Sequence, residues 1–283
     1  MDKIIAFVDG SIYSASVCEH AAWIAGRTGA IVDLTHVLGR REASATQDLS
    51  GAIALGARSS LLDQLAELDA QRARLVAHRG RAILEDGKAI LVSAGVQKVT
   101  TRLRHGDLLE TLAESEDEAD MILIGKRGEA ADFAKAHLGS NLERIVRASH
   151  KPIYVAARAF KPIKKVLIAF DGGASAIKAV NHIAACTLYA NLSMQIVTVG
   201  TATPEISKDL DDARATLKSA GIAADISVIA GQPDTVLGKL VGEDHFDMVV
   251  MGAYGHSRIR NLVIGSSTTE MIRACKVPLV LVR

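Results

Sequence analysis

One set of short motifs occurs twice in this chain, and the duplication limits its fold more than any other feature does. Val8-Asp9-Gly10 returns as Phe170-Asp171-Gly172, and His20 returns as His182, both 162 positions on. Met121-Ile122-Leu123-Ile124-Gly125 returns as Met248-Val249-Val250-Met251-Gly252, 127 positions on. Gly139-Ser140 returns as Gly265-Ser266, and Pro152-Ile153 as Pro278-Leu279, 126 positions on. A spacing that drops by about 35 means that the first copy holds extra chain between its second and third strands, in the 39–94 region.

Each copy alternates short apolar runs with amphipathic stretches. Strands are expected over 3–8, 30–37, 98–103, 121–125 and 152–156, then over 165–170, 194–199, 224–229, 248–252 and 278–282. Apolar residues recur at three and four from Leu61 to Leu91, which predicts a long amphipathic helix, broken near Gly80 or Gly87. The 39–60 stretch has no clear period and reads as a loop with a short helical piece. Strand–helix alternation predicts an α/β fold with a parallel sheet in each copy, flanked by helices, and a ligand crevice at the carboxyl ends of the strands. The domains are then 1–157, with the insertion at 39–94, and 163–283, joined by a short linker containing Pro162.

Aromatic residues make up only 4% of a chain that is 49% hydrophobic, so Val, Ile, Leu and Ala must fill the cores, as parallel sheets require. A net charge of +1 without a basic stripe argues against a nucleic-acid surface. Cys18, Cys186 and Cys275 lie far apart without metal-ligand spacing, and read as reduced, buried thiols. Met1-Asp2-Lys3 leads directly into the first strand with no apolar leader, and no run of ~18 apolar residues occurs. A soluble, cytoplasmic protein away from membranes is expected.

The stretch richest in chemistry is Met251-Gly252-Ala253-Tyr254-Gly255, followed after nine residues by Gly265-Ser266-Ser267-Thr268. Glycines at a strand end let backbone approach a ligand closely. A Gly-Ser-Ser-Thr run opening a helix offers free N–H groups, hydroxyls and the positive dipole end to an anion. The first copy departs from this pattern: ten residues separate Gly128 from Gly139, and Asn141 and Leu142 stand where the second copy has Ser267 and Thr268. Loss of a hydroxyl and gain of a bulky apolar group should weaken an anion site there, with Lys126 and Arg127 offering charge in compensation. Asp171, and its counterpart Asp9, either contacts the ligand or caps the following helix. His20 and His182 each stand alone on a helix and read as packed or surface histidines. His256, Arg258 and Arg260 either reach toward the anion or belong to a solvated loop. There is no G-x-x-x-x-G-K-[ST], no G-x-S-x-G and no His-Glu-x-x-His, and no evident base, so fast phosphoryl transfer is not expected.

Over nearly its whole length the sequence resembles the universal stress protein family in its tandem form. The resemblance rests on the Asp after strand one, the Gly-x2-Gly-x9-Gly-Ser pattern and the final Val-Pro-Leu-Val-Leu-Val strand. It implies two repeated five-stranded parallel sheets of order 3-2-1-4-5, adenine nucleotide alpha hydrolase-like, and dimerisation through the last strands, here made internally as a pseudo-dimer, with homodimers of the chain as a further form. It also implies an ATP-binding stress-response regulator, with Mg²⁺ arriving on the nucleotide and ATP hydrolysis slow at most. Carried over by position, the second copy's site is Ala169, Asp171, Thr198, Val199, Met251, Gly252, Tyr254, Gly255, Gly265, Ser266, Ser267 and Thr268. The weaker first site is Asp9, Val37, Gly125, Arg127, Gly128, Gly139, Ser140 and Asn141. The alternative is a scaffold or chaperone-like interaction protein of the same fold that binds no nucleotide.

Overall fold

A computed structural model describes residues 1–39, 55–126, 140–243, 246–253, 271–272 and 275–283, without side-chain detail at 55–60, 140 and 234. Ten strands form one sheet: β1 (Lys3–Phe7), β2 (Ile31–Gly39), β3 (Val99–Gly106), β4 (Met121–Gly125), β5 (Ile153–Ala156), β6 (Lys165–Ala169), β7 (Ser193–Val199), β8 (Ala224–Ile229), β9 (Met248–Gly252) and β10 (Leu279–Val282). The described helices are α1 (Ser14–Thr28), α2 (Leu55–Ser93), α3 (Leu108–Ser115), α4 (Ser140–Ala148), α5 (Ala174–Ala185), α6 (Pro204–Ser219) and α7 (Pro233–Glu243).

The sheet runs β3-β2-β1-β4-β5-β10-β9-β6-β7-β8. Each half thus has the order 3-2-1-4-5, and pairing within each half is parallel. The internal pairing of the two last strands that the resemblance implies is found at the junction. There β5 and β10 pair antiparallel, with Val280 opposite Tyr154, and fuse the halves into one sheet. Each half alone would leave its last strand with a row of unpaired N–H and C=O groups, and the join satisfies both edges.

Both faces of the central strands are covered, which is why they read as near-continuous Val/Ile/Leu runs. α1, α2, α5 and α6 cover one face, over Ile4, Ala6, Leu34, Val166, Ile168 and Val250. α3, α4 and α7 cover the other, over Ile5, Phe7, Ile122, Leu167 and Val249. The starts of β1 and β6 are held alike. Asp120 Oδ2 accepts from the backbone N–H groups of Asp2 and Lys3, and Asp247 Oδ2 accepts from those of Lys164 and Lys165. Burial raises the Asp120 pKa, but these backbone donors more than offset it and hold the carboxyl below its usual range.

α2 departs from expectation in two ways. Its described part begins at Leu55, inside the stretch read as a loop, and it runs unbroken through Gly80 and Gly87. Both glycines serve close packing instead. A Cβ on Gly80 would sit 2.7 Å from Leu103 Cδ1 and 3.0 Å from His36 Cδ2, and one on Gly87 would sit 2.7 Å from Leu34 Cδ2. Without side chains there, the helix can lie directly on β2 and β3.

Candidate functional site

The two halves place their first-strand ends in equivalent settings. β6 lies between β7 and β9, with Ala169 opposite both Val197 and Met251. β1 lies between β2 and β4 in the same way. These are the points where strand order reverses, and crevices open there beyond the carboxyl ends.

In the second half, Phe170 extends the pairing by donating its N–H to Val197 O at 2.9 Å. The buried Thr198 Oγ1 then donates to Phe170 O at 2.7 Å and pins the end of β7 to the turn. Asp171 Oδ1 accepts from Gly173 N–H at 2.9 Å and closes that turn around Gly172, whose φ is +75°. The helix-capping reading of Asp171 is corrected: the N-cap of α5 is Gly173, with no side-chain cap. Ala169 and Val199 are half-buried beside Met251, on the α7 face, and present an apolar floor at the strand ends.

Gly252 has a packing reason of its own. A Cβ there would lie 2.5 Å from Ser175 Oγ and 2.7 Å from the backbone N of Ala176. The end of β9 rests on the first turn of α5, a contact only glycine permits. Tyr254, Gly255, His256, Arg258, Arg260, Gly265, Ser266, Ser267 and Thr268 lie outside the described residues.

The first half uses different side chains. His36, at the position of Thr198, reaches Val8 O with Nδ1 at 2.7 Å. A carbonyl only accepts, so Nδ1 carries the proton. Asp9 Oδ1 accepts from Ser11 N–H at 3.0 Å and Ser14 Oγ at 3.3 Å, again a turn and not a helix cap. Val37 and Gly125 are half-buried at the strand ends, and Asn141 is exposed. Arg127, Gly128 and Gly139 lie outside the described residues, and Ser140 is described only as the first residue of α4.

One expectation about this half changes, and one residue gains a further role. Lys126 Nζ donates to Cys275 O at 2.7 Å, so its ammonium ties the halves together. Leu142 is 1% exposed and anchors α4 in the core, so it does not stand in the crevice.

α2 adds groups that sequence reasoning missed. A cavity of about 180 Å³ is lined by Asp9, His36, Leu38, Arg72, Val76, Arg79 and Gly80. Arg72 and Arg79 stand seven apart, so they share one helix face. That spacing was the available signal. Over the second half's turn the neighbour is acidic: a Cβ on Gly172 would lie 3.0 Å from Asp209 Oδ2 of α6.

The histidine pair is packed, as expected, though neither is alone. His20 is 0% exposed with Nδ1 2.9 Å from Tyr154 Oη, and His182 meets Tyr189 edge-on at 5.6 Å between ring centres. Cys18, Cys186 and Cys275 are free thiols, and burial pushes the Cys18 thiol up to about 12. No group of His, Cys, Asp or Glu among the described residues could hold a metal ion. No described helix is long and apolar enough to cross a membrane.

The universal stress protein family profile matches residues 1–157 and again 162–283. The universal stress protein Slr1230 of Synechocystis sp. is 36% identical over 287 residues, covering the whole of both chains. In fold, the chain is similar to a universal stress protein from Archaeoglobus fulgidus with a TM-score of 0.74 at 18% identity, covering 99% of this chain and 98% of that one. It is similar also to a protein of unknown function from Pseudomonas aeruginosa, with a TM-score of 0.63 at 16% identity, covering 100% of this chain and 92% of that one.

Proposed function

The chain belongs to the universal stress protein family, and from that membership we propose that it is an ATP-binding regulatory protein whose nucleotide sits mainly in the C-terminal half. One observation carries the reading. The half-buried Ala169 pairs with Met251 at the switch point of the sheet, and the half-buried Val199 packs on the same apolar cluster, which floors the crevice. Beside that floor the chain continues into Gly-x2-Gly-x9-Gly-Ser-Ser-Thr, whose amides and hydroxyls suit a triphosphate. In this proposal Ala169, Asp171, Thr198 and Val199 serve adenine and ribose through backbone and apolar contact, since the Thr198 hydroxyl is already committed to Phe170 O. Gly255, Gly265, Ser266, Ser267 and Thr268 serve the phosphates, with Mg²⁺ arriving on the nucleotide.

The same proposal gives the chain two domains, 1–157 and 163–283, with slow ATP hydrolysis at most and a cytoplasmic home. Calorimetric titration of the purified protein with ATP tests it. Saturable binding is expected, and Gly265→Trp should abolish it. Affinity retained in Gly265→Trp would move the nucleotide to the first half or to another surface. A second reading has one observation in its favour: Gly252 is fully accounted for by its contact with α5. If ATP does not bind at all, the chain is a scaffold of this fold, recognising partners without nucleotide.

A further inference from the structure

We propose that the cavity between α2 and the ends of β1 and β2 binds a compact phosphomonoester bearing hydroxyl groups. The extra length of α2 builds this site. Val96 N–H donates to Leu91 O and Ile222 N–H to Leu217 O, so the ends of α2 and α6 correspond 126 positions apart. That sets Pro204, the first residue of α6, against His78 of α2. The turns of α2 before His78 therefore have no counterpart in α6, and they carry Arg72 and Val76 into the cavity wall. At the next position the charge reverses, with Arg79 where α6 has Glu205. Arg79 reaches the turn after β1: its Nη2 is 4.0 Å from where a Gly10 Cβ would lie.

Donors and acceptors lie on opposite walls. α2 supplies two guanidiniums, whose planar forks match pairs of phosphate oxygens. Arg79 also interacts within the protein, but a guanidinium has five N–H donors to share. The strand ends supply acceptors. His36 commits its Nδ1 proton to Val8 O, so Nε2 of the neutral ring only accepts. The adjoining Cδ2 faces α2, 3.0 Å from where a Gly80 Cβ would lie. Asp9 adds a carboxylate, and Leu38 and Val76 add apolar wall. Such a chamber draws a phosphate toward the helix, takes hydroxyl hydrogens on the sheet side and covers a short carbon skeleton. Its volume of about 180 Å³ sets the size of the ligand. Pockets for drug-sized ligands hold roughly 300–1,000 Å³, so a nucleoside triphosphate is too large. Site and ligand are thus separate from the ATP proposed for the second half.

Titration calorimetry of the full chain with glycerol phosphate, inorganic phosphate and ATP tests the proposal. Glycerol phosphate should bind saturably and at least about tenfold more tightly than inorganic phosphate. Its affinity should be the same in Gly265→Trp, which blocks the second half's phosphate stretch. Arg72→Gln with Arg79→Gln should weaken it by more than about tenfold. Val76→Glu, which puts a carboxylate into the chamber, should abolish it with circular dichroism unchanged. Arg74→Gln with Arg81→Gln removes the same charge from α2 outside the cavity and should change nothing. Absence of glycerol phosphate binding overturns the proposal, and so does equal loss in the two arginine pairs, the mark of diffuse attraction. Inorganic phosphate bound as tightly overturns it as well, because the acceptors would then have no part. Binding lost in Gly265→Trp alone would place the anion in the second half and overturn it. ATP held by Gly265→Trp and released by the Arg72 and Arg79 exchanges would overturn the size limit. Failure on glycerol phosphate leaves the ATP reading intact, since wild-type ATP titration decides that separately.

Discussion

The two halves hold the same strand ends together with different chemistry, and the difference follows what covers each end. In the first half an imidazole ties β2 to Val8 O, and α2 lies over the turn with Arg72 and Arg79 lining the cavity beside it. In the second, a threonine hydroxyl ties β7 to Phe170 O, and the much shorter α6 brings Asp209 against Gly172. Deeper in the sheet the contrast repeats. Asp33 is 0% exposed and draws Arg102 Nε to 2.9 Å and Lys3 Nζ to 3.2 Å as ion pairs, although neither Asp33 oxygen has a well-aligned hydrogen bond. Its counterpart Gln195 makes one neutral bond to Ser227 at 2.8 Å. Duplicated backbone geometry thus tolerates very different side-chain electrostatics, because the strand pairing and the turn carry the fold.

The sharpest way to break this comparison is at the glycines. In Gly252→Ala the new methyl meets backbone, which cannot move aside, and the loss should be about 3 kcal/mol in urea denaturation. Gly80→Ala meets only the ends of Leu103, His36 and Leu38 side chains, and gains about 1 kcal/mol of helix propensity. Its net loss should be no more than about 1 kcal/mol. Equal losses would mean that the two contacts have the same origin.

The histidines should behave alike in both halves. Burial lowers His20 and His182 to about 4 from an ordinary 6.5. The unfolded chain therefore binds more protons between those values. Stability present above pH 6.5 is lost as pH falls toward 4, by at most about 3 kcal/mol for each histidine. Replacing either one by Phe should remove roughly half of that pH dependence. A slope that neither exchange alters would place its origin elsewhere.

Asp33→Ala strands the partly buried Lys3 and Arg102, and Glu118 can neutralise them only in part. A loss of about 2–3 kcal/mol is expected, against about 1 kcal/mol for Gln195→Ala. The smallest effect is the control. Asp120→Ala and Asp247→Ala each free two backbone donors near the surface and should cost about 1 kcal/mol, equally in the two halves. A clear inequality there would show that the strand starts are not equivalent.

Much of the fold was legible before any coordinates. The 224–229 and 248–252 strands were read at their observed ends, because each is a short apolar run between turn residues. α6 begins at Pro204, a residue suited to the first helical position, with Thr203 accepting from Ile206 N–H at 3.3 Å as its cap. The continuity of α2 was not legible. A glycine in a helical pattern looks like a break, and only the neighbouring strand reveals that it is a place for close approach. Asp171 and Asp9 were legible as ligand contacts or helix caps but not as turn-closing residues, since an aspartate before a helix suits a cap and a turn equally. Arg72 and Arg79 were visible as residues, yet nothing local relates them to Asp9, more than sixty positions away.

The sequence by itself determined the duplication, the alternation of strand and helix, and the 3-2-1-4-5 order expected through family resemblance. The duplication and the alternation follow from periodicity and motif spacing, which are local properties or are copied along the chain, whereas the strand order is what the resemblance implies. Only the tertiary structure decided the register in which the halves join, with Val280 opposite Tyr154, that α2 overhangs the first crevice with its arginines, and that Gly252 and Lys126 hold parts of the molecule together. Those outcomes depend on which surfaces meet. That choice is made by shape and by the need to pair buried backbone groups across distances a linear pattern does not encode.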